Sequence, residues 1–179
     1  ERSRGLGYVY KRPFYMTRTV VSHMLAQGWG RIIGVTTSMN TMYREGGTPY
    51  GPSKAAHEAL IAMASRELEG TGVTVNVLVP GGRANTDLIP DDTVFDRDDM
   101  IQPEVMKAPV VWLASDASDG INGQRFIGYY WDEDLPLEER KEIKKELDKL
   151  EGEEKENSEY NVAVPNCHKA DGALAALTF

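Results

Sequence analysis

Between Pro13 and Gln27 the apolar residues Phe14, Val20, Val21, Met24 and Leu25 recur at helical spacing and form one stripe. Pro13 suits a first helical position and Gly28 suits the residue just past a helix end, so the pattern predicts a helix over 13–27. The β-branched run RIIGVT, 31–36, predicts a buried strand, and the hydroxyl- and glycine-rich stretch 37–49 predicts a loop. A second helix is predicted over 51–69, with Pro52 in its first turn, Ala and Leu through its interior and Gly70 after its last turn. VTVNVLV, 73–79, is the clearest strand of the chain, and Pro80, Gly81 and Gly82 end it. A long polar loop, 83–102, precedes a shorter helix over about 103–115 whose expected core residues are Val110, Val111, Trp112 and Leu113. A turn at Asp119-Gly120 leads to a short strand near 124–128.

Strand–helix–strand at these lengths is a βαβ unit, which implies parallel strands and a right-handed crossover. The alternation puts the body in the α/β class, with helices expected on both faces of a small parallel sheet. Residues 136–156 predict a charged helix with Leu135, Leu137, Ile143, Leu147 and Leu150 on one side. The chain so divides into an α/β body over 1–130, an acidic helical extension over 131–156 and a tail over 157–179 for which the pattern suggests no role.

Charge sharpens this division. The 179 residues carry 20 Lys and Arg against 28 Asp and Glu, but residues 132–160 alone hold 13 acidic and 6 basic side chains. The body is therefore nearly neutral. Without a basic footprint to neutralise phosphates, nucleic acid is not an expected partner. No apolar run approaches the roughly 20 residues of a membrane span. Cys167 is the only cysteine, which excludes an internal disulfide, and His23, His57 and His168 lie outside any metal-ligand spacing, so no metal is expected. The opening ERSRGLGYVY has neither an apolar leader nor an initiating Met. The expectation is a cytoplasmic chain that begins inside a larger gene product.

Tyr50 and Lys54 stand four apart at the start of a predicted helix, on one face. A free phenol titrates too high to shuttle protons well at neutral pH, and a neighbouring ammonium favours the phenolate. The Y-x-x-x-K spacing alone is a weak sign, since two polar residues at a helix start satisfy it equally well. Its setting adds to it. A strand ends in Thr36-Thr37-Ser38 just before the pair, and the next strand delivers Pro80-Gly81. In open α/β sheets, sites form at the carboxyl ends of the strands. Gly28, Gly30 and Gly34 imitate part of a dinucleotide fingerprint, but they precede a strand, whereas the working motif follows one and opens a helix.

Together, PFYMTRTVVSHMLAQGWGRIIGVTTS, YGPSK, VTVNVLVPGG and WLASDASDGINGQRFIG resemble the later half of a short-chain dehydrogenase/reductase, over roughly two thirds of the chain. The resemblance implies a Rossmann-like three-layer sandwich with a parallel sheet, incomplete at the N-terminus. It implies hydride transfer between NAD or NADP and a small alcohol or carbonyl substrate. Tyr50 would be the general acid/base, and Lys54 would hold the nicotinamide ribose and assist Tyr50. Thr37, with Ser38 beside it, would take the place of the carbonyl-orienting serine. Pro80 and Gly81 would line the nicotinamide, and Thr86 would contact its carboxamide. A homo-oligomer formed through the helices at 13–27 and 51–69 is also implied.

Three parts of the family pattern are missing from the sequence, the N-N-A-G segment of the fourth strand among them. The Gly-rich turn that cradles the cofactor pyrophosphate at a helix N-terminus is absent. The position of the family's catalytic asparagine falls on Val9, which has no amide. These departures motivate an alternative: a non-catalytic remnant or split-gene fragment acting as a dimerisation or interaction module.

Overall fold

The computed structural model describes residues 6–89, 95–132, 134 and 135. The predicted helix over 136–156, the tail over 157–179 and most of the acidic segment lie outside these residues. Three strands, β1 (Gly30–Val35), β2 (Val73–Val79) and β3 (Arg125–Ile127), form one parallel sheet in the order β1-β2-β3. Gly30 pairs with Val73 and Val35 with Leu78; Val77 pairs with Arg125 and Val79 with Ile127. The helices are α1 (Leu6–Gln27), α2 (Met39–Met42), α3 (Tyr50–Glu67) and α4 (Lys107–Leu113).

β2 is buried at every residue, so its two faces build two half-cores. Val73, Val75, Val77 and Val79 pack against Val21 of α1 and Ile61, Ala64 and Leu68 of α3, with Ile32 and Ile127 joining from the flanking strands. Each Val, Ile or Leu side chain so removed from water contributes about 1.5–3 kcal/mol. The alternate residues Thr74, Asn76 and Leu78 face the other side, where Leu113 of α4 is fully buried. There Phe126, the register partner of Leu78, meets Trp112 edge-on at 5.8 Å, and Trp131 packs 5.1 Å from Trp112. Asn76 tolerates burial because both ends of its amide are used. Its Nδ2 donates to the Ile121 carbonyl at 2.7 Å, and its Oδ1 accepts from the Gln124 N–H at 2.9 Å.

This layering departs from the expectation of right-handed crossovers. The chain steps from β1 to β2 and from β2 to β3 in one direction, yet α3 covers one face and α4 the other. The two crossovers must therefore have opposite hands. If β1–α3–β2 takes the usual right-handed path, β2–α4–β3 is left-handed. The second connection carries the chain through the long stretch 80–102 before α4 begins, which gives it the reach to change faces.

Other local differences have simple causes. α1 begins at Leu6, so Pro13 lies inside it rather than at its start. Its apolar stripe is wider than the face the sheet covers: Val21 is buried, while Val20 and Leu25 stay exposed. The helix does end as expected. Gly28 adopts φ +68°, Trp29 N–H donates to the Met24 carbonyl and Gly28 N–H to the Leu25 carbonyl, the paired closure that a left-handed glycine permits. The expected loop 37–49 contains α2, one turn capped by Ser38. The helix expected over 103–115 is a 3₁₀ turn, Pro103–Met106, followed by α4. Four consecutive apolar residues circle a helix, so Val110 and Val111 point away from the sheet. Among the described residues no helix is long and apolar enough to cross a membrane.

Candidate active site

The parallel register carries the ends of β1 and β2 to one side of the sheet, and α3 starts there. Tyr50 is the first residue of α3 and is 37% exposed. Lys54, one turn on, holds its Nζ 5.7 Å from the centre of the Tyr50 ring and donates to the Val35 carbonyl at 3.1 Å. The pair thus shares one face, tied to the carboxyl end of β1. Partial burial holds the Lys54 ammonium below its ordinary pKa.

The close fit of α3 on β1 depends on Gly34. A Cβ there would stand 1.7 Å from Ile61 Cδ1 and 3.4 Å from His57 Nε2. His57 is half-buried behind Lys54. Burial and then the Lys54 charge lower its pKa, partly opposed by Glu58.

Thr37 and Ser38 follow β1 after Thr36, and both are half-buried. The Ser38 hydroxyl lies 2.8 Å from Thr41 Oγ1 and accepts from the Thr41 N–H at 3.2 Å, capping α2. The Thr37 carbonyl accepts from Arg125 Nη2 at 2.8 Å. On the next strand, the Pro80 carbonyl accepts from Tyr129 N–H at 3.0 Å. Gly81 adopts φ +104°, and a Cβ on it would come within 2.8 Å of both Ile127 and Tyr129. Only glycine fits that turn. Thr86 is farther along, exposed, in a loop where its carbonyl accepts from Ile89 N–H. That loop is held by Arg97, which donates to Asn85 Oδ1 at 2.9 Å and to the Ile89 carbonyl at 2.8 Å.

Sequence reasoning passed over a group beside these residues: Thr36, Glu58 and Arg125. Thr36 Oγ1 donates to Glu58 Oε2 at 2.7 Å, and Arg125 Nε donates to Glu58 Oε1 at 2.9 Å. Glu58 stands four residues after Lys54 and so on its face, which was the one available sign. Nothing local marks Arg125. A cavity of about 620 Å³ lies elsewhere, at the amino end of the strands beside Gly28, Arg31, Gly72 and Asn122.

The residues present fit the nicotinamide end of a dinucleotide. An ammonium has three N–H donors, and one goes to Val35, leaving two for ribose hydroxyls. The tight Pro80-Gly81 turn offers backbone rather than a side chain to a flat ring. Among the described residues no glycine-rich strand–turn–helix stands ready for the pyrophosphate.

Comparison with known proteins agrees with this geometry. A family model described as short chain dehydrogenase matches residues 10–93. NADPH-dependent aldehyde reductase 2, a chloroplastic protein of Arabidopsis thaliana, is 35% identical over 123 residues, covering 62% of this chain and 44% of its own. The 3-oxoacyl-(acyl-carrier-protein) reductase of Staphylococcus epidermidis is 32% identical over 125 residues, covering 64% and 50%. The crystal structure of a 3-oxoacyl-(acyl-carrier-protein) reductase from Agrobacterium tumefaciens with NADP bound superposes with a TM-score of 0.60 at 25% identity, over 68% of this chain and 52% of that one. The chain spans about half the length of the curated relatives it matches. Over residues 10–93 and in its parallel sheet, the chain is similar to the short-chain dehydrogenase/reductase family.

Proposed function

We infer that the chain carries the proton-transfer and nicotinamide side of an NAD(P)-dependent oxidoreductase acting on a small alcohol or carbonyl compound. The observation that carries this reading is the Tyr50–Lys54 pair at the carboxyl end of β1, with the Lys54 ammonium 5.7 Å from the phenol ring. Tyr50 gives its proton to the carbonyl oxygen during reduction and takes it back during oxidation. Lys54 holds the ribose hydroxyls and places a positive charge beside the phenol. The Thr37 or Ser38 hydroxyl donates to the substrate oxygen and orients it. Pro80 and Gly81 form the wall against the nicotinamide, and Thr86 takes its carboxamide. When bound, the nicotinamide supplies the hydride. Relatives named as aldehyde and 3-oxoacyl reductases support a carbonyl as the substrate class.

The test is nicotinamide binding followed by fluorescence, together with turnover of small aldehydes and ketones by wild type and Tyr50→Phe. Positioned proton transfer is worth about 10²–10⁴-fold, so Tyr50→Phe is expected to lose turnover by that factor and retain binding. Equal rates for the two proteins remove Tyr50 from the chemistry.

A second reading, an interaction module, is favoured by the exposed apolar residues Tyr15, Met16 and Val20 on α1 and Met63 on α3. It expects self-association through these helices without nicotinamide binding, which sedimentation and the same fluorescence titration distinguish. For either reading we propose a cytoplasmic location.

A further inference from the structure

Beneath the site, three elements meet in a set of polar contacts that none of the roles above uses. α3 contributes Glu58, two turns beyond Tyr50. The segment just past β1 contributes the Thr36 hydroxyl and the Thr37 carbonyl. β3 contributes Arg125. Glu58 accepts from Thr36 Oγ1 at 2.7 Å and from Arg125 Nε at 2.9 Å, and Arg125 Nη2 reaches the Thr37 carbonyl at 2.8 Å. The Arg125 and Glu58 side chains are 16% and 20% exposed, and Thr36 is buried. Charge-assisted bonds of this kind are short and directional. A mostly buried pair gains little net stability over an apolar replacement, so its clearest effect is on geometry.

The geometry it sets is that of the reacting groups. Lys54 bonds the Val35 carbonyl and Glu58 bonds the Thr36 hydroxyl, so successive turns of α3 are registered against the last residue of β1 and the residue after it. Arg125 then holds the peptide joining Thr37 to Ser38. We propose that Glu58 and Arg125 are positioning residues that fix the Thr37–Ser38 segment relative to Tyr50 and Lys54, so that the orienting hydroxyl and the proton donor meet the same carbonyl oxygen. The proposal rests on the oxidoreductase reading above. Neither side chain touches substrate; both act through the backbone and hydroxyls they hold.

Misplacing a reacting group by about 1 Å costs roughly 100-fold in rate. Glu58→Gln retains the shape but loses the charge and one acceptor. It is expected to lower kcat about 100-fold per cofactor-loaded site, with nicotinamide affinity unchanged. Thr36→Val, which removes one contact of the set, should lower kcat in the same direction, and Thr36→Ser should restore it. Amide hydrogen exchange over 36–41 should quicken in Glu58→Gln while β2 stays protected. A merely structural role would lower the folded fraction and leave kcat per loaded site untouched. The proposal is overturned if Glu58→Gln keeps the wild-type kcat per loaded site while Tyr50→Phe abolishes turnover. If Tyr50→Phe works as well as wild type, or wild type does not turn over, the reading of the site fails and this proposal falls with it.

Discussion

The contact between Gly34 and Ile61 decides how closely the helix bearing Tyr50 and Lys54 lies on the sheet, and it can be tested on its own. In Gly34→Ala the new methyl would sit 1.7 Å from Ile61 Cδ1 and 3.0 Å from Ile61 Cγ1. Ile61 is 4% exposed within the core, so its terminal carbon has little room to retreat. Overpacking of this kind costs about 1–3 kcal/mol, set against roughly 0.4–1 kcal/mol gained from a less flexible unfolded chain. Ile61→Val removes the offending Cδ1 and by itself costs about 0.5–1.5 kcal/mol. In the double variant the closest remaining contact is the 3.0 Å one, tight but adjustable. The double variant should therefore be more stable than the sum of the single effects implies, by on the order of 1 kcal/mol. Urea unfolding followed by circular dichroism measures all four corners of the cycle. Strict additivity would refute the claim that these two atoms compete for one space. Because the strain separates α3 from β1, the role proposed for Lys54 implies that Gly34→Ala should also weaken nicotinamide binding, and that Ile61→Val should restore it.

Two further outcomes follow from the core and from a half-buried base. Leu113 is fully buried between α4 and the sheet, so Leu113→Ala should cost about 2–5 kcal/mol by thermal or urea unfolding; a loss near zero would mean α4 is not docked there. His57 has a pKa below 6.5 in the folded chain, so between that lowered value and 6.5 the unfolded chain binds more protons. Stability should rise with pH through this window and fall on acidification below 6.5. His57→Gln should flatten that slope, and an unchanged slope would assign it to other groups.

The site divides along the same line as these experiments. Tyr50 and Lys54 are one helical turn apart, and backbone geometry alone puts such residues on one face. Their place at the carboxyl end of the sheet followed from the strand preceding them. Thr37, Ser38, Pro80 and Gly81 were legible for the same reason, since each lies within three residues of a strand end. Arg125 was not. Its partner Glu58 is 67 residues away, and the three-residue β3 has no local feature that announces the contact. Val20, Leu25, Val110 and Val111 look like core residues by spacing, yet are exposed because the sheet covers less of each helix than its apolar residues span.

The amino-acid sequence alone determined the three parallel strands, the helices between them and the tyrosine–lysine pair, because hydrophobic period, strand-ending Pro-Gly and i, i+4 spacing are properties of neighbours. Tertiary structure decided the opposite faces taken by α3 and α4, the hand of the second crossover, and the meeting of Glu58, Arg125 and Thr36. Those depend on which surfaces close over β2, a strand buried on both sides. Packing across a sheet joins residues distant in the chain, and no local pattern encodes that choice.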